Sequence, residues 1–178
     1  LAPAHRLDRL TSGLLLFTKR REVRGAYQTL FARREVRKTY SAIADFKDLE
    51  TPLVWESRME KTPGEIQGRI ESGEVNAVTN LVAIEPLTSE QQDILDDIHG
   101  AQNHLARYTL GPETGKTHQL RLHMWAAGIP ILGDPVYPVI YPVEAEDMKI
   151  PMHLTAARLE FTDPLTGIQR QFHTELSF

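Results

Sequence analysis

Three short segments contain the residues whose types and spacing are best suited to chemistry. They are HRLD at 5–8, KTY at 38–40 and GKTHQLRLH at 115–123. In the first segment a single carboxylate, Asp8, stands among three basic residues, His5, Arg6 and Arg9. An ionised carboxylate can act as a nucleophile, or it can stabilise an electron-poor centre electrostatically. Asp8 is therefore the first candidate for a reacting group.

The third segment predicts a helix that carries an arginine on an otherwise apolar face. The run THQLRLHMWAAG predicts a helix that ends at Gly128. On such a helix His118 and Arg121 are three residues apart and point the same way. A buried arginine needs an acidic partner, and Asp8 is an available acid in a structured loop. We therefore expect Arg121 to be the ion partner that holds Asp8 ionised and aimed.

The distribution of charge favours a polyanionic partner more than the total charge does. The formal net charge is −4, which by itself argues against nucleic acid. Residues 1–40, however, hold ten lysines and arginines against three acids, whereas residues 41–105 hold four against thirteen. A basic segment joined to an acidic one gives a one-sided electrostatic face. A solvated helix with many arginines is the alternative explanation of the same counts.

The elements that must position these residues are mostly strands. The apolar run GLLLFTK predicts a buried strand over 13–19, and VRKTYSAIADF predicts a half-buried strand over 36–46. Between them, apolar residues recur with helical spacing over 22–35. The alternation in the second strand places five side chains on one face, Val36, Tyr40, Ala42, Ala44 and Phe46.

The remainder of the chain continues this mixture of strands and helices. It predicts short strands over 52–87, a surface helix from its N-cap Ser89 to Ile98, a strand over 105–110, and a hairpin formed by 153–161 and 168–172. This order predicts an α+β fold, with a mostly antiparallel mixed sheet and a few flanking helices.

Length and composition predict a single domain over residues 1–178. A chain of this length buries a sizeable core, and no apolar run approaches the roughly 18 residues of a membrane helix. The sequence has no cysteine, which excludes disulfides and thiolate metal sites, and no visible signal peptide. Both features fit a cytoplasmic protein. Because the first residue is Leu rather than Met, we expect a chain trimmed at its amino-terminal side.

Four motifs, in order, resemble those of the RNA pseudouridine synthases of the RluA type. They are HRLDRLTSG, RKTYSAIA, TGKTHQLRLHMWAAGIPILGDPVYP and HLTAARLEFTDPLTG, and the resemblance covers about 5–172. It implies a pseudouridine synthase catalytic fold with an RNA-binding cleft, in which Asp8, Tyr40 and Arg121 form the catalytic site. Members of the family usually carry sheet-forming sequence with an Asn-Lys-Pro motif before HRLD. The chain lacks this sequence, so the resemblance implies a catalytic domain truncated at its amino-terminal side.

The implied activity is the isomerisation of specific uridines in structured RNA, either ribosomal or transfer RNA, to pseudouridine. The N1–C1′ bond is cleaved, the uracil rotates and rejoins the ribose through C5, and C5 loses its proton. The ionised Asp8 suits the electron-poor ribose carbon, and Tyr40 either stacks on the uracil or assists the proton transfer. No redox step, phosphate transfer or hydrolysis occurs, so neither a cofactor nor a metal is implied.

The implied substrate gives the basic residues a use, because a base inside folded RNA must be flipped out to react. We expect Arg6 to fill the gap left by the base, and the other cations to meet phosphates. The predicted RNA-binding residues are Arg6, Arg9, Lys19, Lys38, Lys116 and His118. RNA is the expected partner, with no membrane and no small-molecule cofactor, and the protein is expected to be a monomer.

Two other functions compete with this one. A noncatalytic RNA-binding module would keep the synthase fold without the reaction. A metal-dependent hydrolase would use His118 and His123, with His5 and His153 as further ligands, although a five-residue spacing on a helix is poor for two ligands.

Overall fold

The computed structural model describes residues 1–138, 140 and 150–174. The described strands are β1 (Ala2–Pro3), β2 (Ser12–Gly13), β3 (Phe17–Thr18), β4 (Arg37–Asp45), β5 (Leu53–Glu60), β6 (Arg69–Glu71), β7 (Ala77–Pro86), β8 (Leu105–Pro112), β9 (Leu154–Thr162) and β10 (Gln169–His173). The helices are α1 (Arg24–Ala32), which follows a 3₁₀ turn over Arg21–Val23, α2 (Ser89–His99) and α3 (Gln119–Ala126). None of the helices within the described ranges combines the length and hydrophobicity needed to cross a bilayer.

The described strands form one large sheet with a central β4–β8 pair. Its order is β10-β9-β4-β8-β7-β5-β6, and all of these pairings are antiparallel. The short β2 adds a parallel pairing to β9, and β1 pairs separately with β3. The predicted α+β class with a mostly antiparallel mixed sheet is confirmed. The predicted hairpin is confirmed as β9 and β10.

Helices cover both faces of the sheet at β4, so this strand is more buried than its sequence predicts. Ala42 and Ala44 belong to a core cluster shared with α3, whereas Ile43 on the opposite face packs against α2. All three are at most 2% exposed. The predicted one-sided burial is therefore wrong for this strand, and Phe46, which was expected on the buried face, lies 40% exposed beyond its end.

The sequence also misplaced some element boundaries. The predicted buried strand over 13–19 is divided into β2 and β3, because the chain leaves the edge of β9 after Leu14, whose N–H donates to the carbonyl of Ala156. The N-cap of α2 is Thr88, which forms a capping box with Gln91, rather than Ser89. The third helix begins at Gln119, two residues later than expected.

Candidate active site

A cavity of about 490 Å³ lies where β4 begins and β8 ends. Antiparallel pairing of these strands brings residues 38–40 beside residues 110–112. The loop over 5–11 and the carboxyl end of α1 complete the wall. Asp8, Tyr40, Lys38 and Lys116, which the sequence placed in the site, all line this one cavity.

The loop that carries Asp8 is anchored to β9 immediately after the loop ends. The Ser12 hydroxyl lies 2.9 Å from the Thr155 hydroxyl, and β2 pairs with β9 at this point. Gly13 has φ +104°, and a Cβ built there would collide with the carbonyl oxygen of Ala156. Glycine alone tolerates both the backbone conformation and the close approach. This contact therefore fixes the loop, and with it the position of Asp8.

The backbone of His118 provides the hydrogen bond that reaches the Asp8 carboxylate. Its N–H donates to Oδ2 of Asp8 at 3.2 Å, and its own conformation is left-handed, with φ 57°. The imidazole points elsewhere, with Nδ1 3.3 Å from the hydroxyl of Tyr137. Burial lowers the pKa of His118, the Arg121 guanidinium lowers it further, and Asp8 opposes both effects. The imidazole is therefore neutral at pH 7, and the peptide N–H makes the contact with Asp8.

The ion partner of Arg121 is Asp134, which corrects the predicted pairing with Asp8. The two form a bidentate pair, with Nε–Oδ2 and Nη2–Oδ1 distances of 2.7 Å, and their side chains are only 3% and 0% exposed. Oδ1 of Asp134 also accepts the N–H groups of Val136 and Tyr137. Arg121 is not among the described residues that line the cavity. Its charge is neutralised within the protein, where the pair joins α3 to the segment around Tyr137.

Tyr40 lies in the middle of the sheet, in register with Leu110 of β8 and Ala156 of β9. Burial, with a smaller contribution from Asp8, raises the pKa of Tyr40 to about 12. At pH 7 only about one molecule in 10⁵ then carries the phenolate. The site therefore presents a protonated phenol and an aromatic ring next to the carboxylate.

Comparisons with known proteins agree with this geometry. The sequence model of a family described as RNA pseudouridylate synthase matches residues 1–126. The dual-specificity RNA pseudouridine synthase RluA of Haemophilus influenzae is 33% identical over 184 residues, which cover 99% of this chain and 74% of the relative. The protein of the same name from Pasteurella multocida is 34% identical over 92% of this chain and 68% of its own length.

The chain belongs to the RluA-type RNA pseudouridine synthases. Among solved structures, human RNA pseudouridylate synthase domain containing 1 superposes with a TM-score of 0.75 and 25% identity, over 97% of this chain and 68% of that one. The family makes this chain an enzyme, an RNA pseudouridine synthase, and not a metal-dependent hydrolase.

The predicted RNA-binding residues of the synthase fall into three groups. Arg6, Lys38 and Lys116 line the cavity, the first and last of them exposed and Lys38 half-buried. Arg9 and Lys19 are exposed but do not line it. His118 is half-buried beside Asp8, and its ring is turned towards the protein rather than towards an open surface.

His118 and His123, the two helix histidines considered as metal ligands, do not converge. The ring of His123 is held between two hydroxyls, with Nδ1 3.0 Å from Oγ1 of Thr79 and Nε2 2.9 Å from Oγ of Ser57. Burial lowers the pKa of His123 to about 4. His118, which instead contacts Tyr137, therefore shares no ligand position with it.

Sequence reasoning missed three residues whose hydrogen bonds stabilise the site. Gln119, Asp134 and Tyr137 entered the sequence analysis only as part of the third motif. Oε1 of Gln119 accepts from the Thr114 hydroxyl at 2.6 Å and from the N–H of Lys116 at 3.1 Å, which fixes the turn beside the cavity. The available signal was the motif itself, because glutamine and aspartate stand there among apolar residues that are otherwise core.

Proposed function

We propose that this synthase flips a uridine out of structured RNA into the cavity and isomerises it to pseudouridine, with Asp8 as the reacting carboxylate. The observation that carries the proposal is the composition of the cavity. It joins Asp8 and Tyr40 with four cations, Arg6, Arg34, Lys38 and Lys116, in a protein whose net charge is −4. Besides Asp8, one acid lines it among the described residues, Glu113, and its carboxylate accepts a hydrogen bond from the amide of Asn80 at 2.9 Å.

The proposed chemistry needs one carboxylate in a fixed position. Asp8 acts as nucleophile or electrostatic stabiliser while the N1–C1′ bond breaks. The detached uracil rotates, C5 bonds to C1′, and the C5 proton leaves as N1 gains one. Tyr40 serves as the stacking and hydrogen-bonding wall, because a phenol with a pKa of about 12 is a poor source of phenolate at neutral pH.

The cations give the RNA its position. Arg6, on the loop that carries Asp8, occupies the gap left by the flipped base, while Arg9, Lys19, Lys38 and Lys116 meet phosphates. The proposed substrates are ribosomal or transfer RNA. The name of the Haemophilus influenzae relative includes dual specificity, and a relative from Vibrio cholerae, 28% identical over 92% of this chain, is named a tRNA pseudouridine synthase. We propose that the enzyme works as a cytoplasmic monomer without a cofactor.

The test measures tritium released to water from RNA that carries [5-³H]uridine. Asp8→Asn keeps the size of the side chain and removes its charge, so we expect turnover to fall at least about a thousandfold. RNA binding should stay equal or become tighter, because a negative charge leaves a cationic cavity. The matched control is Asp45→Asn, an exposed acid at the far end of β4, which should retain wild-type turnover.

Two results would contradict the proposal. Full turnover by Asp8→Asn would show that the reaction does not need the Asp8 carboxylate. Binding of RNA by the wild-type protein without tritium release would favour the noncatalytic module. Mapping pseudouridines in cells with and without the gene then separates ribosomal from transfer RNA as the substrate.

A further inference from the structure

Lys38 carries a charge that has no partner among the residues that the structure describes. Its side chain is half-buried in the cavity wall, at the second residue of β4. Within the described residues, neither a hydrogen bond nor an ion pair reaches its ammonium group. Burial lowers the pKa of Lys38, and the neighbouring Arg34 guanidinium lowers it further. Buried charges in proteins are normally paired, because an unpaired charge loses its hydration without compensation.

The surroundings of Lys38 suit an anion and supply none. Arg34 lines the same cavity and repels the ammonium. Among the described residues, the two acids of the lining form no ion pair with Lys38; Asp8 accepts the N–H of His118, and Glu113 accepts from Asn80. A bound anion would relieve the repulsion between the two cations and replace the hydration that Lys38 loses.

The position of Lys38 indicates which anion this is. Lys38 and Tyr40 are two residues apart on β4, and two residues of a strand span about 6.6 Å. The pairing register of β4 shifts between Thr39 and Tyr40, but Lys38 and Tyr40 both line the cavity, so an anion at Lys38 would lie within about one nucleotide of a base at Tyr40. The rings of His5 and Phe31 line the same cavity, stack with their centroids 4.2 Å apart and form an aromatic wall. This arrangement matches a backbone phosphate with an unstacked nucleoside on either side.

We propose that Lys38, assisted by Arg34, binds the RNA phosphodiester adjacent to the reacting uridine inside the cavity. This inference rests on the proposed function, because it assigns a phosphate subsite to the same reaction. The subsite distinguishes Lys38 from the exposed cations Arg9 and Lys19, which would meet phosphates in open solvent, where salt screens them.

The first experiment compares Lys38→Met with the wild-type enzyme. Methionine keeps most of the length of the side chain and removes the charge. KM for RNA should rise about tenfold or more, kcat at saturating RNA should be unchanged, and the salt dependence of log K should lose about one unit of slope. Without RNA the variant should melt no lower than the wild type, because an unpaired cation has gone. Lys47→Met, at an exposed lysine whose ammonium donates to the carbonyl of Ala127, should leave KM unchanged.

The second experiment identifies the phosphate. In a short RNA substrate, the phosphate on each side of the target uridine is replaced in turn by an uncharged methylphosphonate. At one of the two positions the replacement should weaken wild-type binding about tenfold and leave Lys38→Met binding unaffected.

Two outcomes would overturn the subsite. In the first, the methylphosphonate replacements weaken RNA binding equally in both enzymes at both positions. In the second, Lys38→Met lowers kcat or stability and leaves KM unchanged. These outcomes remain distinct from a failure of the proposed function, which wild-type tritium release on the unmodified substrate reports independently.

Discussion

Two charged regions lie close together in this protein and differ in how their charges are neutralised. The Arg121–Asp134 pair is almost fully buried, is joined by two hydrogen bonds of 2.7 Å, and has the remaining capacity of Oδ1 filled by backbone N–H groups. The cavity next to it holds Asp8 with one backbone hydrogen bond and Lys38 with no described partner. The charges of the first region are neutralised without a ligand, whereas Lys38 in the second region has no described partner.

The difference separates residues that support the site from residues that meet the substrate. The sequence placed Arg121 in the same catalytic group as Asp8 and Tyr40, with Asp8 as its expected ion partner. In the structure its guanidinium instead pairs with Asp134, and Arg121 is not among the described residues that line the cavity. Electrostatic groups that act on a substrate keep unfilled capacity, since preorganised charges stabilise a transition state only if they remain available to it.

The buried pair gives the largest expected effect on stability. Arg121→Met leaves the carboxylate of Asp134 buried without its cation, so we expect the free energy of unfolding to fall by about 3–5 kcal/mol. The double variant Arg121→Met/Asp134→Asn should recover part of this loss, because it removes the stranded charge and keeps an oxygen for the N–H of Val136. Urea denaturation measures both.

The matched control is the surface pair Arg58–Glu60, whose side chains are 37% and 40% exposed. Arg58→Met should cost about 0–1 kcal/mol. If Arg121→Met lowered the free energy of unfolding as little as the surface variant does, the contrast between the buried pair and the cavity would be contradicted.

The N–H of His118 gives the next effect, on catalysis. Glycine keeps the left-handed conformation, whereas a β-branched residue resists it by about 1–2 kcal/mol. We expect His118→Val to lower kcat by about ten- to a hundredfold through misplacement of Asp8, and His118→Gly to stay within a few-fold of the wild type. Both variants lose the imidazole contact with Tyr137, so their difference isolates the backbone. Equal kcat values would show that the ring, and not the peptide N–H, matters.

The smallest effect concerns buried histidines that stay neutral. Burial lowers the pKa values of His123 and His153 to about 4 from an ordinary value of 6.5. Between these values the unfolded chain binds more protons than the folded one, so stability falls as the pH drops from about 6.5 towards 4. Each histidine contributes up to about 1.4 kcal/mol per pH unit. His123→Gln should therefore lose stability less steeply with acid than the wild type, and identical slopes would contradict a neutral buried ring.

The sequence predicted much of the site because its motifs specify both the residue types and their positions along the chain. Lys38, Tyr40 and Lys116 were assigned to the site with Asp8, and the structure brings all four to one cavity. The partner of Arg121 was not predictable in the same way. Four acids inside the recognised motifs were available, and sequence separation does not rank them; they are Asp8, Asp134, Glu160 and Asp163.

In the fold, too, some features follow from local sequence patterns and others depend on tertiary packing. The helical period of α1 and α2 and the β9–β10 hairpin follow from local patterns, which act over a few residues. The two-sided burial of Ile43 and its neighbours depends on α2 and α3 packing on opposite faces of one strand. The break in the 13–19 run depends on where the edge of β9 stops offering hydrogen bonds.

The sequence by itself determined the family, the class of fold and the carboxylate on which the reaction is proposed to depend, since these are carried by short motifs whose chemistry is local. Only the tertiary structure decided which charges neutralise one another. The chain returns after α3 to place Asp134 against Arg121 and leaves Lys38 facing a cavity, and that choice depends on three-dimensional distance and burial, which no spacing along the chain encodes.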